Sequence, residues 1–237
     1  MDADRHRLLD TTMPQVKVML SAAFKEAYLE LVPQFERGSG HKVENLWVPS
    51  VQMMSRLKGG ETVDLVILSA ASLDELRKAG LISERTDLAR SGIGVAVKSG
   101  ARKPDLSSGE AVKRAVLAAR GIAYSTGPSG IYLMGLFRRM GITESIQSRV
   151  KQVQGEPAGG VVARGEAEIA FQQVSELLPV PGIDFVGPLP ADIQQVTVFA
   201  AGLHVAAKQP DAARALVKFL TAPAAAPVIR KKGMEPA

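Results

Sequence analysis

The stretch Val63-Asp64-Leu65-Val66-Ile67-Leu68 carries a single polar side chain, and Ser72-Leu73-Asp74-Glu75 follows shortly after it. A strand that is apolar on both of its alternating faces needs cover on both sides. Helices supply such cover, and Ser-x-x-Glu is the capping-box pattern that opens one, here expected to run through Lys78. Repeated along a chain, this strand-then-helix step leaves layered α/β architectures as the available solutions.

The step does repeat. Gln15-Val16-Lys17-Val18-Met19-Leu20 alternates as a strand does, after which Phe24, Tyr28, Leu31 and Phe35 recur at helical spacing. Pro33 is expected to kink or end that helix, because proline lacks the N–H an interior turn needs, and Gly38-Ser39-Gly40 to stop it. Residues 42–48 read as the next strand, 51–57 as a short helix stopped by Gly59-Gly60, 63–68 and 92–97 as further strands. Ser107-Ser108-Gly109-Glu110 repeats the capping box before a helix over 111–119. Another helix is expected near 159–164, extended segments over 168–173 and 197–206, and a last helix from Pro210-Asp211 with Leu216, Phe219 and Leu220 on one face. The expected class is α/β with mostly parallel sheets.

In such sheets ligands bind outside the carboxyl ends of the strands. Ser21, Ser50 and Ser69 each follow a strand, as does the loop in Ala123-Tyr124-Ser125-Thr126-Gly127-Pro128-Ser129-Gly130-Ile131-Tyr132, which leads into an amphipathic helix. Unpaired N–H groups and the helix dipole attract anions at such a point. The plainer readings are a turn in which Gly and Pro serve geometry alone and serines that merely cap helices. A nucleotide-binding P-loop is excluded, since no Gly-Lys-Ser/Thr follows. Trp47, beside Ser50, reads as a core residue.

Composition narrows the function classes. The 237 residues are 46% hydrophobic and 22% charged, an ordinary globular balance. A net charge of +5 is at most a bias toward anionic small ligands. The basic residues are scattered with no aromatic-plus-basic patch, which argues against nucleic acid as a partner. With no cysteine there is no disulfide framework and no thiolate nucleophile or ligand. His6, His41 and His204 lack metal-ligand spacing, so neither metal nor other cofactor is expected. The start, Met1 to Arg7, is charged with no apolar stretch of signal-peptide length after it, and no segment reads as a membrane span. As written the chain is expected to be cytoplasmic with no membrane insertion, or periplasmic if a leader was removed.

Residues 15–24, 63–82, 128–141, 164–176 and 209–233 resemble, in order and spacing, the type II periplasmic solute-binding proteins, and within them the molybdate-binding branch. The residues that carry this are Ser129-Gly130-Ile131-Tyr132 before a helix ending in Met140-Gly141, Gly165-Glu166-Ala167-Glu168 stepping into a strand, and Pro210-Asp211-Ala212-Ala213 opening the final helix. The resemblance implies two α/β lobes, each a mostly parallel sheet flanked by helices, joined by two crossing strands with the ligand clamped between them. Lobe one would comprise residues 15–93 with 200–237 and lobe two 94–199, after an N-terminal extension over 1–14. By position the site would take in the turn Ser21, Ala22, Ala23, then Ser50, Ser129, the neighbourhood of Gly155, and Gln173; Ser69, Ser125, Gly130 and Gln172 join these as candidates. The sequence departs from the molybdate pattern where Ala23 replaces a serine, Pro49 replaces one of a serine pair, and Gln173 replaces a tyrosine. Losing hydroxyls and gaining carboxamides, which both donate and accept, suits an organic acid better than a compact oxyanion.

The reading favoured on these grounds is a ligand-binding protein clamping a small anion, an oxyanion or an organic carboxylate, with an ABC permease as partner if the chain is exported. The alternative is an isomerase of an unsaturated carboxylic acid, because Phe171-Gln172-Gln173-Val174-Ser175-Glu176-Leu177-Leu178 and Val186-Gly187-Pro188-Leu189-Pro190 resemble a side branch to which aconitate isomerases are related. No nucleophile–base pair and no Gly-x-Ser-x-Gly elbow is visible. Any chemistry would be proton transfer, with Glu176, Tyr132 or a serine as unranked candidates.

Overall fold

The structure, a computed structural model, describes residues 15–237; the extension expected over 1–14 lies outside the described residues. In chain order the elements are β1 (Gln15–Leu20), a 3-10 turn (Ala22–Phe24), α1 (Lys25–Ser39), β2 (Lys42–Trp47), α2 (Ser50–Lys58), β3 (Leu65–Ser69), α3 (Ala70–Lys78), β4 (Ile82–Ser91) and β5 (Ile93–Lys98). Then come α4 (Gly109–Ala118), β6 (Ile122–Ser125), α5 (Pro128–Arg139), α6 (Thr143–Ile146), β7 (Val150–Val153), α7 (Ala158–Ala163), β8 (Ile169–Gln173), α8 (Val174–Leu177) and β9 (Ile183–Pro188). The chain closes with β10 (Thr197–His204), α9 (Pro210–Leu220), α10 (Ala226–Lys231) and β11 (Glu235–Pro236).

The strands form two sheets, ordered β11-β4-β10-β3-β1-β2 and β7-β6-β8-β5-β9. Each is covered on both faces, as the apolar run at β3 requires. Leu65 and Ile67 point into a core with α1 and α9, while Val66 and Leu68 point into a second core with Met53, Leu57, Leu73 and Leu76. In the second sheet Val95 faces Val112, Phe137 and Phe171, whereas Ala96 faces Ala158, Val161 and Leu177.

Both sheets are mixed rather than mostly parallel. Parallel pairing holds for β1 with β2 and β3, and for β6 with β7 and β8. The remaining pairs are antiparallel, β10 with β3 and β4, β11 with β4, and β5 with β8 and β9. The reason is the connectivity. The chain leaves the first sheet through β4, enters the second as β5 across the single residue Gly92, and returns from β9 into β10. Strands that run outward and back must oppose each other. β4 escapes the sequence pattern because Ser-Glu-Arg-Thr-Asp breaks the apolar alternation, and its pairing from Thr197↔Ser91 to His204↔Ile82 holds it in place.

Local departures have local causes. α1 runs straight through Pro33, which sits exposed on the solvent side, where water can satisfy the freed Leu29 carbonyl while Leu31, Val32 and Phe35 stay buried. α3 starts earlier than the expected cap at Ser72: Ser69, leaving β3 in extended conformation, accepts from the Ser72 N–H at 3.4 Å and donates to Ser72 Oγ at 2.9 Å. Asp64, the polar residue of the apolar run, lies just before β3 rather than in it. Its carboxylate is 4% exposed and accepts from the N–H groups of Lys17 (2.7 Å), Lys208 (2.6 Å) and Gln209 (2.7 Å), tying β1 to the segment before α9.

Among the described residues no single helix is long and apolar enough to cross a membrane; α9 and α10 reach that length only together, across a 58° bend. α9 buries Ala212, Ala213, Leu216 and Leu220 in the core. Asp64→Ala strips an acceptor from three N–H groups and is expected to cost ~2 kcal/mol, lowering the melting temperature by roughly 6 °C in differential scanning calorimetry.

Candidate ligand-binding site

The parallel strands of both sheets end at one cleft of about 260 Å³. The first sheet contributes the turn after β1 (Leu20 to Ala23), Lys25 and Glu26 at the start of α1, Trp47 to Ser50, and Phe199. The second contributes Ser125 to Pro128, Val153 to Pro157, and Gln172, Ser175, Glu176 and Pro179. Where β2 and β6 end, α2 and α5 begin with no side chain capping them. The first N–H groups of α2 are therefore open to an acceptor in the cleft, whereas α5 begins with Pro128, which has no N–H.

Of the candidates from sequence, Ser21, Ala22, Ala23, Ser50, Ser125, Gly155 and Gln172 line the cleft. Four others do not. Ser69 caps α3. Ser129 is buried behind Ser125, the two Oγ atoms 3.4 Å apart. At Gly130 a Cβ would lie 1.6 Å from the Ser125 carbonyl oxygen, so glycine lets the loop fold back on itself. Gln173 is fully buried where the sheets join: with its carboxamide oriented to satisfy both ends, it donates to the Ser91 (3.0 Å) and Gly92 (3.2 Å) carbonyls and accepts from Thr197 Oγ1 (3.1 Å). Gln194 reinforces the same junction, accepting from Ile93 N–H (2.8 Å) and donating to Ile93 (3.0 Å) and Leu189 (3.2 Å) carbonyls. The two adjacent glutamines thus take opposite parts, and the one facing the cleft is Gln172.

Gln172 is itself committed to neighbours. Its Oε1 accepts from the Ala158 N–H at 2.7 Å and its Nε2 donates to Glu176 Oε1 at 2.8 Å. Burial pushes the Glu176 carboxyl up to about 7, with the Gln172 bond opposing that rise in part. Beside it Ser175 is 2% exposed, and its Oγ has no hydrogen-bond partner among the described residues. Tyr132, by contrast, lies outside the cleft lining and donates to the Ile193 carbonyl at 2.8 Å. Trp47 is no core residue: β2 is an edge strand, and the indole is 39% exposed, edge-on to Tyr28 with Lys25 Nζ 5.4 Å from its ring centroid. Sequence reading passed over Thr126, Gln154 and Ser175, because small polar residues after short strands carry no pattern of their own.

The chain matches the bacterial extracellular solute-binding protein family over residues 16–235 and belongs to it. Aconitate isomerase from a Pseudomonas species is 37% identical over 227 residues, covering 92% of this chain and 87% of the relative. The molybdate-binding protein ModA of Azotobacter vinelandii is 28% identical over 232 residues, covering 92% and 89%. The solved periplasmic molybdate-binding protein of the same organism superposes with a TM-score of 0.77 at 19% identity, covering 92% of this chain and 98% of that one. The fold is the two-lobe α/β fold of periplasmic binding proteins, and the solute-binding family is the one that the resemblance indicated.

A carboxyl raised in the folded state contributes stability fully below its unfolded value of 4.5, and loses it as pH rises through about 7. His204, held neutral by burial, works the other way, losing stability as pH falls below 6.5. The comparison that isolates Glu176 is therefore wild type against Glu176→Gln. The melting temperature of the variant is expected to gain a few degrees on wild type between pH 5 and pH 8; parallel curves would show that the carboxyl is not raised.

Proposed function

We propose that the two lobes, about residues 15–93 with 200–237 and 94–199, close on a small organic carboxylate anion held in the cleft. The observation that carries this reading is Glu176. Protonated below about 7, it offers an O–H donor to an anionic oxygen in the cleft, where an ionised carboxylate would repel any anion, and the 37% identity to an aconitate isomerase favours a carboxylate ligand over an oxyanion. Neutral donors complete the clamp: Ser21 and Ser50 from the first lobe, Ser125 and Thr126 from the second, and the open end of α2. Closure would turn about Gly92 and the segment from Leu189 to Val196, with Gln173 and Gln194 bracing both. For a chain exported with a leader, the place of action is the periplasm and the partner an ABC permease.

A second reading, isomerisation of the bound acid, is favoured by the Pseudomonas aconitate isomerase relative at 37% identity and by a cleft carboxyl that gains and loses a proton near neutrality.

Thermal shift and Trp47 fluorescence across citrate, cis- and trans-aconitate, molybdate, tungstate, sulfate and phosphate test the first reading. A carboxylate at about 100 times its dissociation constant is expected to stabilise by ~2.7 kcal/mol. Stabilisation by molybdate or tungstate alone would assign the cleft to oxyanions, and none by any of the anions would end the reading. Proton NMR of trans-aconitate with the protein tests the second: the cis isomer is expected to grow in, and an unchanged spectrum leaves a binder only.

A further inference from the structure

We propose that Glu176 is the acid–base residue of the isomerisation and that Ser175 Oγ holds the substrate carboxylate onto which charge is spread, an assignment that rests on the isomerase reading above. Three features of the cleft carry it. Gln172 fixes Glu176 through Oε1 alone, and Oε2 makes no hydrogen bond among the described residues. Ser175, next in the chain, lines the same cleft with a buried hydroxyl that has no partner. An unpaired buried hydroxyl is unfavourable, a penalty that a bound carboxylate would remove. Finally, α8, which bears both residues, packs against the turn Ala22–Phe24 of the other lobe, so the pair stands where the lobes meet.

The other candidates are engaged elsewhere. Tyr132 donates to the Ile193 carbonyl, and Ser129 lies behind Ser125. Glu156 is bound by Arg164 at 2.9 and 3.2 Å. The remaining ionisable groups lining the cleft are Lys25 and Glu26, both on α1.

The step balances without a co-reactant. Glu176 Oε2 removes a proton from the methylene carbon next to the double bond. The C–H electron pair spreads over the three-carbon unit and its carboxylates, one of them held by Ser175 O–H. The Glu176 carboxylic acid then returns a proton to the far carbon, and the double bond has moved one place with nothing oxidised or reduced. Gln172 acts as a positioning residue, anchored by the Ala158 N–H and holding Glu176 by Oε1 so that Oε2 is left without a partner among the described residues.

The test uses the full chain, with trans-aconitate isomerisation followed by proton NMR in D2O and binding measured with propane-1,2,3-tricarboxylate, which has no double bond to move. Glu176→Gln is expected to bind within about 3-fold of wild type while losing ~10²-fold or more of the isomerisation rate and its deuterium incorporation. Ser175→Ala is expected to lose ~10²-fold in kcat while remaining as stable as wild type. The wild-type rate should rise with pH through about 7, and Gln172→Leu should move that rise upward, because it deletes a donor to the ionised carboxyl. Glu176→Asp, keeping the carboxyl, should retain measurable turnover. A Glu176→Gln protein with more than a tenth of wild-type turnover, a loss matched by equally lost tricarboxylate binding, or a loss that appears in Glu26→Gln instead would each overturn the assignment alone. Wild type that binds the tricarboxylate but turns nothing over would remove the isomerase reading and this assignment with it.

Discussion

The chain passes between its two sheets twice, at Gly92 and again between Leu189 and Val196, and the rest of the architecture follows from that constraint. The outward strand β4 and the returning strand β10 must be antiparallel, so neither sheet can be wholly parallel. The same crossings set the parallel strands β1, β2, β6 and β8 end to end, their carboxyl ends turned toward one cleft. Bringing buried strands together at a junction leaves peptide groups that need partners. The carboxamides of Gln173 and Gln194 supply them, Gln173 bonding β4, Gly92 and β10, and Gln194 joining β5 to the Leu189 carbonyl just after β9. A side chain with both a donor and an acceptor end suits this place, since no single helix or sheet ladder reaches all of these groups.

The electrostatics of the cleft follow from the same arrangement. Glu176 sits in the lobe-two wall against the Ala22–Phe24 turn of the opposite lobe, and burial there disfavours its charged form more than the single bond from Gln172 favours it. The cleft-lining cation, Lys25, lies over the Trp47 ring. In the proposed clamp, recognition of a charged ligand falls to neutral hydroxyls and open N–H groups, a means of holding anions that needs no ion pair.

Much of the fold was legible because it follows from local rules. β1 fell where the alternation predicted it, and the two-faced cover of β3 followed from its unbroken apolar side chains. A serine caps α4 as expected, though it is Ser108, one residue after the Ser107 that opens the Ser-x-x-Glu pattern, and it accepts from the Ala111 N–H at 3.2 Å. Of the cleft, Ser21, Ser50 and Ser125 could be read from their place at strand ends, and Gln172 from the carboxamide pair it forms with Gln173. The misreadings share a cause in non-local contacts. Pro33 was tolerated because the helix packs the other way round, and Trp47 was exposed because β2 lies at a sheet edge. β4 became a strand through pairing with residues more than a hundred positions away.

Periodicity in the sequence by itself determined the α/β class, the resemblance of its segments indicated the two-lobe solute-binding family, and the residues at strand ends marked much of the cleft lining. The tertiary structure alone decided which of two neighbouring glutamines faces the cleft and which braces the junction. It also withdrew Ser129 and Gly130 from the cleft and set Ser175 beside Glu176 in its wall. The physical reason is that backbone pattern is set by neighbours in the chain, whereas burial, the partner of a hydrogen bond and the proton affinity of a carboxyl are set by whatever the fold brings alongside.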